Sequence, residues 1–217
     1  MKLLKLMVLT LGVASLAAAM PIVGLYSTGM NVSGGVDQSW QLAGGTAYVT
    51  QDGQFPFGAW VANDGNSSWV SPQASYVGQG GALLTDPLGS YTYTLTFDLT
   101  GYDPSTAWFD FSIAGDDSVT SVNLNSTSLI PGGIGAFAGG VMNGTYSTGV
   151  GNGFVAGLNT ITVQILNQGG TEGSPSGLRL EFEDSDVQAS MNSVPEPATF
   201  ALVGLALAVL PLVRRKR

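Results

Sequence analysis

Four tryptophans and a few closely spaced acids are the residues of this chain whose chemistry reaches beyond packing. Trp40, Trp60, Trp69 and Trp108 carry flat faces that can lie on the C–H face of a pyranose while the indole N–H donates to a hydroxyl. The competing use of each ring is core packing. Trp108 alternates with Phe109 and Phe111 and shares its side of the strand with Asp110 and Ser112, so it is expected on an exposed face. Trp60 follows the apolar stretch Phe55-Pro56-Phe57-Gly58 and is open to either role. Trp60 and Trp108 are thus the candidate glycan contacts.

Asp116-Asp117 and Asp64-Gly65-Asn66 offer carboxylate and amide oxygens, which Ca²⁺ takes in sets of about six to eight. Neither has the spacing of an EF-hand, and turns use the same residues for backbone reasons. Calcium on Asp116 and Asp117 is the one cofactor the sequence suggests. Glu181, Glu183, Asp184 and Asp186 alternate near a strand end, as a solvated face would. Catalytic carboxylates of a glycosidase would have to face each other across a cleft at about 5–10 Å. The chain has no cysteine and no histidine, which removes Ser-His-Asp triads, cysteine nucleophiles and zinc sites built on His or Cys. A non-enzymatic protein is expected.

The elements that must position these residues are strands. In Tyr91-Thr92-Tyr93-Thr94-Leu95-Thr96-Phe97-Asp98-Leu99 the odd positions are apolar and the even ones Thr or Asp, the period of two that buries one face of a strand. Phe109, Phe111 and Ile113 repeat the pattern, as do Ile161, Val163 and Ile165, then Leu178, Leu180 and Phe182. Asp86-Pro87, Asp103-Pro104, Pro131-Gly132-Gly133, Gly169-Gly170 and Pro175-Ser176-Gly177 punctuate these runs as turns. The fold class expected is all-β, a β-sandwich of jelly-roll topology. Residues 131–153, glycine-rich and nearly uncharged, read as a long loop, and 184–193 as a polar linker.

The two chain ends read as addresses. Lys2 and Lys5 precede the apolar run Leu6 to Leu16, and Ala17-Ala18-Ala19 supplies small residues for cleavage, which makes 1–19 a secretory signal peptide. At the other end Val194-Pro195-Glu196-Pro197 leads into an apolar run, Ala198 to Val213, and then Arg214-Arg215-Lys216-Arg217. Four cations at the end of an apolar run place the C-terminus on the cytoplasmic side. As a helix, the run would extend about 24 Å at about 1.5 Å per residue, a marginal match to a hydrocarbon core of about 30 Å. Contact with a membrane is expected through this helix alone.

Cutting both ends away changes the charge. Six of the seven Lys and Arg lie in the terminal segments, leaving Arg179 against fourteen of the fifteen carboxylates. Residues 20–194 therefore carry a net −13 in place of the −8 of the whole chain. Such a surface repels phosphate backbones, which argues against nucleic acid as a partner.

The order Val-Pro-Glu-Pro, short apolar helix and Arg-Arg-Lys-Arg resembles the PEP-CTERM sorting signal of Gram-negative bacteria that make extracellular polysaccharide. The resemblance implies recognition of Pro195, Glu196 and Pro197 by an exosortase, with Arg214 and Arg215 in the basic tail. It implies export through the inner membrane to the envelope, outer surface or extracellular matrix, among extracellular polysaccharide. A second resemblance rests on Trp60, "SSWVSP" at 67–72, the run 91–125 and the run 157–182, which look like galactose-binding-like β-sandwich modules of secreted bacterial proteins. Such modules often carry Asn-Gly where this chain has Asn125-Ser126. The expected organisation is signal peptide 1–19, sandwich 20–183, linker 184–193 and sorting signal 194–217. The expected role is a surface or matrix protein, with a carbohydrate-binding module as the alternative.

Overall fold

The computed structural model of the chain describes residues 18–131, 133–136, 142–169 and 171–190. Most of the signal peptide, together with Pro195, Glu196, Pro197, the apolar run, Arg214 and Arg215, lies outside the described residues. Fourteen strands are described: β1 Ala19–Met20, β2 Val32–Ser33, β3 Val36–Asp37, β4 Trp40–Leu42, β5 Tyr48–Val49, β6 Val70–Ser71 and β7 Gly89–Asp98. They continue with β8 Tyr102–Asp116, β9 Ser118–Leu124, β10 Thr127–Ser128, β11 Ile134–Ala136, β12 Asn143–Ser147, β13 Leu158–Asn167 and β14 Gly177–Ala189. No α-helix occurs among the described residues.

The strands form two antiparallel sheets. One runs β12-β8-β14-β6-β5-β3-β2, with β1 added on β14; the other runs β10-β9-β13-β7-β4, with β11 added on β9. The alternation legible in the sequence decides what lies between them. Tyr93, Leu95 and Phe97 of β7, Ile161, Val163 and Ile165 of β13, and Val122 of β9 meet Phe109, Phe111 and Ile113 of β8 and Leu178 and Leu180 of β14 in one buried core. Burying one face of each sheet against the other is the two-layer solution open to an all-β chain of this size.

Three expectations are corrected. Asp103-Pro104 is not a turn but lies inside β8, near its start, where a missing N–H is tolerated. Pairing of β8 with β14 is irregular there: Asp186 aligns with Trp108 and Gln188 with Asp103. Residues 184–189 are not linker. They continue β14, because Val187 turns into the core and β1 pairs alongside, Ala19 opposite Gln188 and Met20 opposite Val187. Within 131–153, β11 and β12 replace part of the expected loop, and Tyr146 packs its ring on Phe111 at 5.5 Å. Glycines hid that segment's period.

Candidate functional site

The pair Asp116-Asp117 sits where the chain changes sheets. β8 ends at Asp116 in one sheet and β9 begins at Ser118 in the other, so the two acids form the corner of the sandwich. Asp117 Oδ2 accepts from the backbone N–H of Gln168 at 2.5 Å and of Gly169 at 3.0 Å, just past the end of β13. Asp116 Oδ2 accepts the indole N–H of Trp60 at 2.7 Å, and its backbone carbonyl accepts from Ser176 Oγ at 3.1 Å. The corner is thereby tied to the loop between β13 and β14.

Behind it lies a compact aromatic and polar layer. Trp60, only 3 % exposed, stacks on Trp69 with ring centroids 4.1 Å apart and planes 23° apart. Phe57 and Tyr76 meet Trp60 edge-on, at 6.0 and 5.9 Å. The Tyr76 hydroxyl donates to Asp86 Oδ2. The same oxygen accepts the backbone N–H of Ser176 at 2.9 Å, and Asp86 Oδ1 accepts from Gln73 Nε2 at 2.8 Å. Asn167 Nδ2 donates to the carbonyls of Asp86 and Ser174, both at 3.0 Å. Asp86, read in the sequence only as half of a turn, is the hub of this layer. Its burial between two distant stretches had no local signature.

Burial raises the Asp116 carboxyl to about 7; the Trp60 N–H pulls it down in part, and the neighbouring Asp117 pushes it up. Burial and the adjacent Asp86 carboxylate hold the Tyr76 hydroxyl well above its ordinary value. The corner is therefore able to hold a proton near neutral pH. Among the described residues no group of three or more carboxylates is arranged to hold a metal ion.

The remaining candidates lie elsewhere. Trp40 and Trp69 are core. Trp60 has its ring against Trp69 and its edge near Gly177, so it presents no open face to a sugar. Trp108 is half-buried on the outer face of β8, opposite Asp186, with Asp110 two residues along and opposite Asp184. Asp110 Oδ1 and Asp186 Oδ1 are buried there without a hydrogen-bond partner among the described residues. Asp64 Oδ1 caps the backbone N–H groups of Asn66 at 2.8 Å and Ser67 at 3.2 Å, so this acid closes a turn. Its other oxygen meets Arg179 Nη2 at 2.7 Å. Thr145 Oγ1 donates to Glu183, and Glu181 accepts from Ser67.

β14 ends at Ala189, six residues before Pro195, so the sandwich stands within about 20 Å of that proline even on a fully extended chain. Residues 193–217 match the family model of the PEP-CTERM protein-sorting motif. The chain carries a PEP-CTERM sorting signal. The PEP-CTERM match covers the tail alone, and a signal of this kind implies an exported protein processed at the membrane by an exosortase. No curated protein and no solved structure matches the chain.

Proposed function

We propose that this is a non-enzymatic protein of the cell surface or extracellular matrix of a Gram-negative bacterium. An exosortase sorts it through Pro195-Glu196-Pro197, and it works in contact with extracellular polysaccharide. The sorting motif at 193–217 carries this reading. Supporting it are the signal-peptide pattern of residues 1–19, the absence of His and Cys from the sequence, and a domain of two antiparallel sheets. A sandwich of galactose-binding-like, jelly-roll type suits such a role. Calcium at Asp116 and Asp117 would compete with the N–H donors that both Oδ2 atoms already accept.

The test is to produce the protein in its host with and without the exosortase. Loss of the tail mass and release to the surface only when the enzyme is present is the expected result. Identical mass and location in both strains would refute the sorting step.

One observation favours carbohydrate binding through Trp108 as a second reading. The half-buried indole stands on the outer face beside the carboxylates of Asp110 and Asp186, an aromatic ring on which a sugar could stack with acidic acceptors next to it. Loss of retention in affinity electrophoresis on Trp108→Ala, with the fold intact, is expected on this reading; unaltered retention counts against it.

A further inference from the structure

The outer face of the second sheet is a regular field of hydroxyls with one acid, Asp98, at its edge. On β7 the core takes Tyr93, Leu95 and Phe97, which leaves Thr92, Thr94 and Thr96 outward; on β13 it takes Ile161, Val163 and Ile165, which leaves Thr160, Thr162 and Gln164 outward. The register sets these side by side: Thr96 opposite Thr160, Thr94 opposite Thr162, Thr92 opposite Gln164. Strand geometry spaces the rows by about 4.8 Å across and about 6.8 Å along. None of the five threonine hydroxyls makes a hydrogen bond within the described protein. β-Branching restricts χ1 of the five threonines, so part of their ordering is in place before anything binds.

Charge divides the molecule in the same way. Of the fourteen carboxylates of residues 20–194, eight lie on strands of the first sheet, whereas the strands of the second carry Asp98 alone, at the last position of β7. An ordinary solvated face on so acidic a domain would have its share of acids.

We propose that this threonine face is a docking surface for a neutral polysaccharide, lying flat across β7 and β13. The proposal rests on the polysaccharide setting of the function proposed above, and supplies the surface that meets it. Each threonine presents a methyl beside a hydroxyl, the same pairing of C–H and O–H that a sugar ring displays. Polyanionic chains are repelled by the domain's net −13, and a second copy would bring two such charges together. A lipid surface finds no apolar side chain among these six positions, and only Leu158 and Leu166 beside them at the two ends of β13. A neutral, hydroxyl-rich chain meets none of these objections.

The experiment uses the protein purified from the exporting host, retained on microcrystalline cellulose, on curdlan and on dextran beads, with alginate as the anionic counterpart. Retention on at least one neutral matrix, little changed by added salt, is expected, and it should fall about tenfold in T94V/T162V and in T94D/T162D. The valine pair keeps shape and fold, so its loss isolates the hydroxyls. No retention on any neutral matrix overturns the proposal, as does retention untouched in both double variants, or loss only in Trp108→Ala, which would place binding on the other sheet. A dimer that both double variants dissolve also overturns it, in favour of self-association. Normal exosortase-dependent release with no retention would sink this surface and leave the sorting reading standing.

Discussion

Trp60 donates its indole N–H to Asp116 Oδ2 at 2.7 Å, joining the buried aromatic layer to the corner where the chain passes between sheets. Because burial raises the carboxyl to about 7, the folded state binds a proton that the unfolded chain, with an aspartate near its ordinary 3.8, has released. Between those two values the folded protein holds more protons than the unfolded one, so stability falls as pH rises through the interval and levels off above about 7. Asp116→Asn cannot ionise. Its melting temperature should lose most of this dependence and exceed that of the parent at pH values above 7. Thermal melts across the range decide it; parallel curves for the two proteins would show that the Asp116 carboxyl does not titrate there.

Gly177 opens β14 beneath the same rings. A Cβ at this position would lie 2.6 Å from Trp60 Cη2 and 3.2 Å from Trp69 Cε3, with the two rings already stacked on each other. Gly177→Ala should therefore destabilise by about 1–3 kcal/mol through overpacking. Trp60→Ala alone should cost about 3–5 kcal/mol through the cavity it leaves. In the double variant the methyl enters that cavity, so the combined loss is expected to be smaller than the two single losses together. Urea melts of the three variants measure this, and simple additivity would argue against the contact.

The long strands were legible because their period of two survives in the sequence. β7 and β13 read correctly from Tyr-Thr-Tyr-Thr-Leu-Thr-Phe and Ile-Thr-Val-Gln-Ile, with the core side chains on the side expected. The end of β14 did not, because Asp184, Ser185 and Asp186 give it the composition of a linker while pairing with β8 and β1 keeps it in the sheet. Parity alone puts Trp108 on the outer face, and it is half-buried there. Parity said nothing of Trp60, whose position depends on Trp69 and Asp116 from remote stretches. Arg179 shows the same limit. Its parity, opposite to Leu178 and Leu180, points it outward, yet the segment from Ala62 to Ser67 folds over it.

That cover gives Arg179 and Asp64 very different weights. Arg179 is 1 % exposed; its Nε donates to Ser67 Oγ at 2.7 Å, its Nη1 to the Ala62 carbonyl, and its Nη2 meets Asp64 at 2.7 Å and Glu181 at 3.8 Å. Asp64 has a side chain 53 % exposed. Arg179→Ala strips the partner from Glu181, Ser67 and a backbone carbonyl at once, and should cost about 3–5 kcal/mol. Asp64→Asn keeps the cap on Asn66 and Ser67 and removes one half-exposed carboxylate from a buried guanidinium that retains Glu181, Ser67 and the Ala62 carbonyl, so a smaller loss is expected than in Arg179→Ala. Chemical denaturation of both variants tests the ranking. Equal losses would mean that the guanidinium depends on Asp64 and not on its cover.

Asn125 occupies the first position of the two-residue turn between β9 and β10, with φ of 53°, a left-handed value that asparagine tolerates. A glycine would fit the backbone equally well, but the side chain does more. Nδ2 donates to the Gly153 carbonyl at 2.8 Å and to Asn159 Oδ1 at 2.9 Å, and Oδ1 accepts the backbone N–H of Thr160 at 2.9 Å. Asn159 Oδ1 in turn accepts from the Val155 N–H, and its Nδ2 donates to the Val155 and Gly157 carbonyls. The two asparagines thus fasten the start of β13 to the β9–β10 turn. Asn125→Gly should preserve the turn yet lose about 1–3 kcal/mol by leaving buried partners unmet. Asn125→Ala should lose more, since it adds left-handed strain to the same deficit. Hydrogen exchange at the Thr160 amide reads the local effect, and equal stability of the parent and the glycine variant would show that only the turn geometry matters.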